Sequence, residues 1–95
     1  MTLLNFQVVR DLLAAAEQAP IVTNGVATPG TGQAKSTAAG STVTRLVNDA
    51  KTKNILTTLT PEMHSVQWTE NGRAFTALLN TKTGEILLKF EPARR

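Results

Sequence analysis

This chain has no cysteine, no tyrosine, a single histidine and only four aromatic residues, and each shortage removes a class of function. Without cysteine there are no disulfide staples, thiolate zinc sites, iron–sulfur clusters or cysteine nucleophiles. One histidine, His64, leaves no self-contained histidine metal site and argues against a large enzyme active site. The aromatics, Phe6, Trp68, Phe75 and Phe90, make up 4% of the chain and fall mainly in its second half. No apolar run approaches the ~18–20 residues that a membrane-spanning helix needs. Nor does the start read as a cleaved signal peptide. No basic residue precedes Leu3-Leu4, and Asn5, Gln7, Arg10 and Asp11 interrupt the apolar stretch. The expected location is the bacterial cytoplasm, or an exterior reached by a route that uses no cleaved signal.

Ninety-five residues can build one small core. Ten Lys/Arg against seven Asp/Glu give a net charge of +3 and a pI near 9.8, which raises the question of nucleic acid. Position answers it. Arg10 and Lys35 are cancelled by Asp11 and Glu17, and the later cations are interleaved with Asp49, Glu62, Glu70, Glu85 and Glu91. Only Arg94-Arg95 forms a basic cluster, whereas phosphate-tracking proteins carry a continuous basic stripe.

Three zones differ in composition. In residues 1–19, Leu4, Val8/Val9, Leu12/Leu13 and Ala16 recur at helical spacing, and Thr2 or Asn5 can supply the N-cap oxygen. Pro20 ends the helix. Residues 20–40 are rich in Gly, Ser, Thr and Ala and poor in large apolar side chains, so the expectation is a flexible, mobile linker. Within it, Gly30 to Thr37 imitates a phosphate-binding loop, but Ala34 and Pro29 stand where that loop requires glycine. Residues 41–95 are the expected folded domain. Ser41 or Thr42 would cap a helix over 41–56 whose apolar stripe is Val43, Leu46, Val47, Ala50 and Ile55, with Lys51 and Lys53 in its last turns.

From His64 the period becomes two, and Asn71-Gly72 signals a two-residue hairpin turn. That turn sets Glu70 against Arg73 as an ion pair, Trp68 against Phe75, and Val66 against Ala77. A second turn over Asn80 to Glu85 then places Leu79 opposite Ile86, Ala77 opposite Leu88, and Phe75 opposite Phe90. The expected fold class is α+β: an N-terminal helix and linker, then a helix packed on a three-stranded antiparallel meander. Its core face is Val66, Trp68, Phe75, Ala77, Leu79, Ile86, Leu88 and Phe90. On the other face stand Gln67, Thr76, Lys89 and the apolar pair Leu78 and Leu87. Two roles are open for that pair: packing beneath the N-terminal helix, or making a protein or subunit contact. Leu78, Leu87, Thr76 and Lys89 are therefore the candidate protein-binding residues.

No arrangement points to catalysis. Ser36, Ser41 and Ser65 lie in no nucleophile-elbow context, and the carboxylates are scattered surface charges. No catalytic, cofactor-binding or metal-binding residue is assigned.

The stretch Met63 to Arg73, followed by Asn80-Thr81-Lys82-Thr83-Gly84-Glu85-Ile86, resembles the conserved end of the flagellar FlaG family. That family carries an aromatic-bearing strand, a short Gly turn followed by Arg, an apolar strand, an Asp-x-x-Thr-Gly-Glu turn, and a final strand closed by proline. Here Asn80 replaces the aspartate and Pro92 closes the strand. The resemblance covers roughly residues 45–92. It implies a non-enzymatic flagellar accessory protein, associated with filament formation or length control through protein–protein contacts and without cofactors. It also implies flagellar components as partners, with an unfolded N-terminal part suited to export through the flagellar channel. The alternatives are a small phage virion or assembly protein and a weak nucleic-acid-associated protein; homo-oligomers are possible under any of them.

Overall fold

The computed structural model describes residues 6–93, and among them it is α+β, with two helices and a five-stranded antiparallel sheet. Helix α1 spans Gln7–Glu17 and buries Val9, Leu12 and Ala16, the positions that helical spacing selects. Phe6 is its N-cap residue and provides no side-chain hydrogen bond. The expected caps Thr2 and Asn5, and Leu4, lie outside the described residues.

Residues 20–40 depart from the expected linker. Strands β1 (Val22–Thr23) and β2 (Val26–Ala27) form a small hairpin through Asn24-Gly25, both at positive φ (53° and 79°). Strand β3 (Gly32–Thr37) then lies along the edge of the main sheet, so the imitation phosphate loop is extended chain from Gly32 onward. Composition misled here because burial in β3 is supplied by its neighbours. Its inward positions, Gly32, Ala34 and Ser36, are small because α1 lies directly over the strand. A Cβ on Gly32 would meet the Ala16 carbonyl and come 2.7 Å from the Phe90 ring. The small residues that suggested disorder are what let helix and strand approach.

Helix α2 spans Gly40–Thr52 and buries Val43, Leu46 and Ala50. It begins and ends earlier than expected. Ala39 is the N-cap residue, with no side-chain cap bond, and Ser41 and Thr42 lie within the first turn. At the other end Asn54 takes φ of 60°, a left-handed conformation that Asn tolerates at helix C-termini, and turns the chain out of the helix. Ile55 is thereby released, and its carbonyl accepts the Gln67 N–H at 3.2 Å. The next residues form β4 (Leu56–Thr58), a short edge strand not expected from the sequence.

Strands β5 (Met63–Glu70), β6 (Arg73–Asn80) and β7 (Glu85–Pro92) form the meander in the expected register. Asn71 and Gly72 adopt φ of 53° and 75°, as a type I′ turn requires. At the second turn the Asn80 side chain accepts the N–H groups of Lys82 (2.9 Å) and Thr83 (3.0 Å), while Gly84 sits at φ 79°. The strand order is β3-β7-β6-β5-β4, so the expected three-stranded sheet is extended at both edges.

Side chains alternate across this sheet. Three rows face the helices: Gly32, Phe90, Phe75 and Trp68; then Ala34, Leu88, Ala77, Val66 and Leu56; then Ser36, Ile86, Leu79, His64 and Thr58. Trp68 stacks on Phe75 at 5.2 Å and Phe75 meets Phe90 edge-on at 5.9 Å. Aromatic pairs of this kind add about 0.5–1.5 kcal/mol each beyond their buried area. Helix α1 covers β3 and β7, and α2 reaches β4 and β6, both on this same face, with Val9, Leu12, Val43, Leu46 and Ala50 joining its core.

The expected Glu70–Arg73 ion pair does not form, although the two residues stand opposite each other. The Arg73 guanidinium lies 4.8 Å from the Phe90 ring centre and bonds Glu17 at 2.8 Å, tying the end of α1 to the sheet. Glu70 Oε2 is buried and, among the described residues, has no hydrogen-bond partner; Trp68 Nε1 is in the same position.

Candidate functional site

Two sets of residues could carry function: the dispersed polar groups on the helix side and the sheet face turned away from the helices. Among the described residues no three or more His, Asp or Glu side chains gather as a metal-binding group. His64 stands at the sheet margin, its Nδ1 3.2 Å from Thr58 Oγ1, in a shallow polar depression with Asn48, Lys51 and Asn54. Nothing in this depression pairs an acid with a base or a nucleophile with an activating group.

The other sheet face is organised. Leu78 on β6 is directly opposite Leu87 on β7, and Thr76 is directly opposite Lys89 in the next row on that face. The four candidate contact residues therefore form one block on two adjacent interior strands, β6 and β7. Neither helix lies over them, because α1 and α2 both pack on the opposite face. Of the two roles open for Leu78 and Leu87, packing beneath the N-terminal helix is excluded for the described helix α1. Both leucines are half-buried by their neighbours within the face.

The fold adds residues to this block that sequence reasoning did not assign to it. Ser65 on β5 continues the Leu87–Leu78 row and is itself buried. Lys35 on β3 extends the row on the other side, opposite Leu87. A groove of about 190 Å³ is lined by Lys35, Met63, Leu78, Asn80, Glu85 and Leu87. Met63 escaped because it stands one residue before the alternating pattern read from His64, and Lys35 because its strand carries no apolar alternation.

Lys35 Nζ lies 2.6 Å from the Glu85 carboxylate at the margin of the groove. The hydrogen bond from Lys35, with its charge, holds the Glu85 carboxyl below its ordinary value of 4.5. A depressed folded-state pKa contributes stability above the unfolded value, and that contribution is lost as pH falls through the folded value. The pair is solvent-exposed, so the contribution is small. Thermal melts of Lys35→Met should accordingly fall less steeply than wild type on the acid side of pH 4.5. Identical acid limbs for the two chains would contradict the pairing.

Comparison with protein-family models, with curated proteins and with solved structures finds no match to this chain. Among the described residues no helix is long and apolar enough to cross a membrane.

Proposed function

We propose that this chain is a non-enzymatic contact module that acts by binding another protein through the sheet face bearing Leu78, Leu87, Thr76 and Lys89. The observation that carries this reading is the one-sided sheet: both helices cover the same face, and the apolar centre of the other face has no cover within the described chain. Protein-contact surfaces combine such an apolar centre with a polar margin, here Lys35, Glu85, Lys89 and Gln67.

The partner class follows from the residues of the meander. The FlaG resemblance, which covers roughly residues 45–92, implies a flagellar accessory protein with filament components as partners. The charge pattern favours protein over nucleic acid, since the uncovered face carries acids beside its lysines.

The test is binding of the purified chain to purified flagellin, filament-cap protein and flagellar export chaperone. Saturable binding to one of them is expected, reduced at least about tenfold (about 1.4 kcal/mol) by Leu87→Lys. No binding to any of the three would overturn the flagellar reading. Binding to duplex DNA that collapses between low and moderate salt would instead favour nucleic-acid association.

A further inference from the structure

Glu85, Leu87 and Lys89 alternate along β7 and project from the same uncovered face, with opposite charges two residues to either side of the leucine. This spacing is self-complementary. A two-fold axis lying in the plane of the face and running across the strands through the Leu78–Leu87 row reverses the order of residues along each strand. It keeps β7 over β7 and β6 over β6. Leu87 then meets the Leu87 of a second copy, Leu78 meets its Leu78, and Ser65 meets its Ser65. Glu85 falls opposite the second copy's Lys89, and by symmetry the pair occurs twice.

We infer that the uncovered sheet face is closed by a second copy of this chain, related by this two-fold axis. The inference rests on the reading of that face as a contact surface, and names its partner. Three further observations support a second copy over a different occupant. Lys35 and Lys89 are matched on the face by Glu85 and Glu91, so it presents no net field to draw a polyanion or a polycation. The face carries no aromatic side chain on which a base could stack, since Trp68, Phe75 and Phe90 all point into the core. Its size also fits. Four strands about 4.8 Å apart and roughly 26 Å long give about 500 Å² per copy. The resulting total of about 1,000 Å² is near the lower bound for a specific interface.

Stacked sheets lie about 10 Å apart with strands within about 30° of each other, a separation that facing Lys and Glu side chains can span. Lys35 would face its own counterpart across the axis, but each remains neutralised by the Glu85 beside it. A pair of leucines that are already half-buried and two exposed ion pairs make a weak, concentration-dependent dimer.

Charge exchange tests this arrangement on the full chain by analytical ultracentrifugation over a concentration series, with a thermal melt of each variant to confirm folding. Wild type should pass from monomer to dimer. Lys89→Glu places Glu85 opposite a glutamate, and Glu85→Lys places Lys89 opposite a lysine, so each alone should dimerise at least about tenfold more weakly. With Lys35→Met also in each chain, since Glu85→Lys would otherwise leave Lys35 facing its counterpart without its carboxylate partner, the two variants mixed together should associate as a heterodimer, and the double exchange Glu85→Lys/Lys89→Glu should recover the homodimer. A wild type that stays monomeric throughout, single variants that dimerise like wild type, or a mixture or double variant that fails to recover would each overturn the inference. The contact reading itself fails separately: a monomeric chain that still binds a flagellar component through Leu87 sinks only the dimer. A dimer whose Leu87→Lys variant binds that component unchanged sinks only the reading that this face takes the component.

Discussion

Leu46→Ala is expected to lower the unfolding free energy by about 3 kcal/mol, within the range of about 2–5 kcal/mol for truncating a buried leucine. Leu46 is 0% exposed, midway along α2, where the helix seals the core. Deleting its isobutyl group removes transfer free energy and leaves a cavity that Val43 and Ala50, one turn away on the same helix, are too small to fill. In a domain of this length each kcal/mol moves Tm by about 4–8 °C, so a fall of more than about 10 °C is expected. A loss below about 1 kcal/mol would mean that α2 does not rest on the sheet.

Gly32→Val should have the next largest effect, for the opposite physical reason. The truncation at Leu46 leaves space, whereas a side chain at Gly32 has none to occupy. Its Cβ would strike the Ala16 carbonyl, which is backbone and cannot rotate away, as well as the Phe90 ring. Overpacking of this kind costs about 1–3 kcal/mol when the surroundings can shift, and more where backbone must move. The expected result is displacement of α1 from β3, with loss of the Arg73–Glu17 bond and faster proteolysis between α1 and β3. Circular dichroism and limited proteolysis should show the sheet retained while the first helix is released. A Tm and cleavage rate equal to wild type would contradict the close approach of helix and strand.

The same glycine shows where sequence reasoning reaches and where it stops. The register of β5, β6 and β7 was legible because Asn71-Gly72 fixes a two-residue turn and only one alignment keeps Phe75, Ala77, Leu79, Ile86, Leu88 and Phe90 on one face. Strand β3 was not legible. Gly32, Ala34 and Ser36 carry no hydrophobic alternation, and their size is set by α1, an element more than a dozen residues earlier in the chain. β4 escaped for a different reason: three residues are too few to show a period. Arg73 was expected to pair across the turn with Glu70, but Phe90 and Glu17 draw it to the helix side, a tertiary preference that no local pattern encodes. Of the candidate site, the Leu78, Leu87, Thr76 and Lys89 block followed from the register alone. Lys35 joined it only once β3 was in place.

The added strand also changes the meaning of the N-terminal segment. A chain whose first forty residues were a helix on a tether could lose them without harm to the rest. With α1 and β3 in the fold, their removal uncovers the edge of β7 and the ring of Phe90. An export experiment on such a deletion would therefore report unfolding as well as transport.

Because the chain contains no cysteine, a single introduced thiol reports on one position without background. Alkylation rates of Leu87→Cys and Leu88→Cys test most directly whether the sheet has one covered and one open face, since these neighbours project to opposite sides. In dilute solution the thiol at position 87 should react rapidly and the thiol at position 88 should be strongly protected. Raising the protein concentration, or adding a bound partner, should slow position 87. Equal protection of both thiols in dilute monomer would show that the Leu78–Leu87 face is already covered, and would contradict the proposal that it is a contact surface.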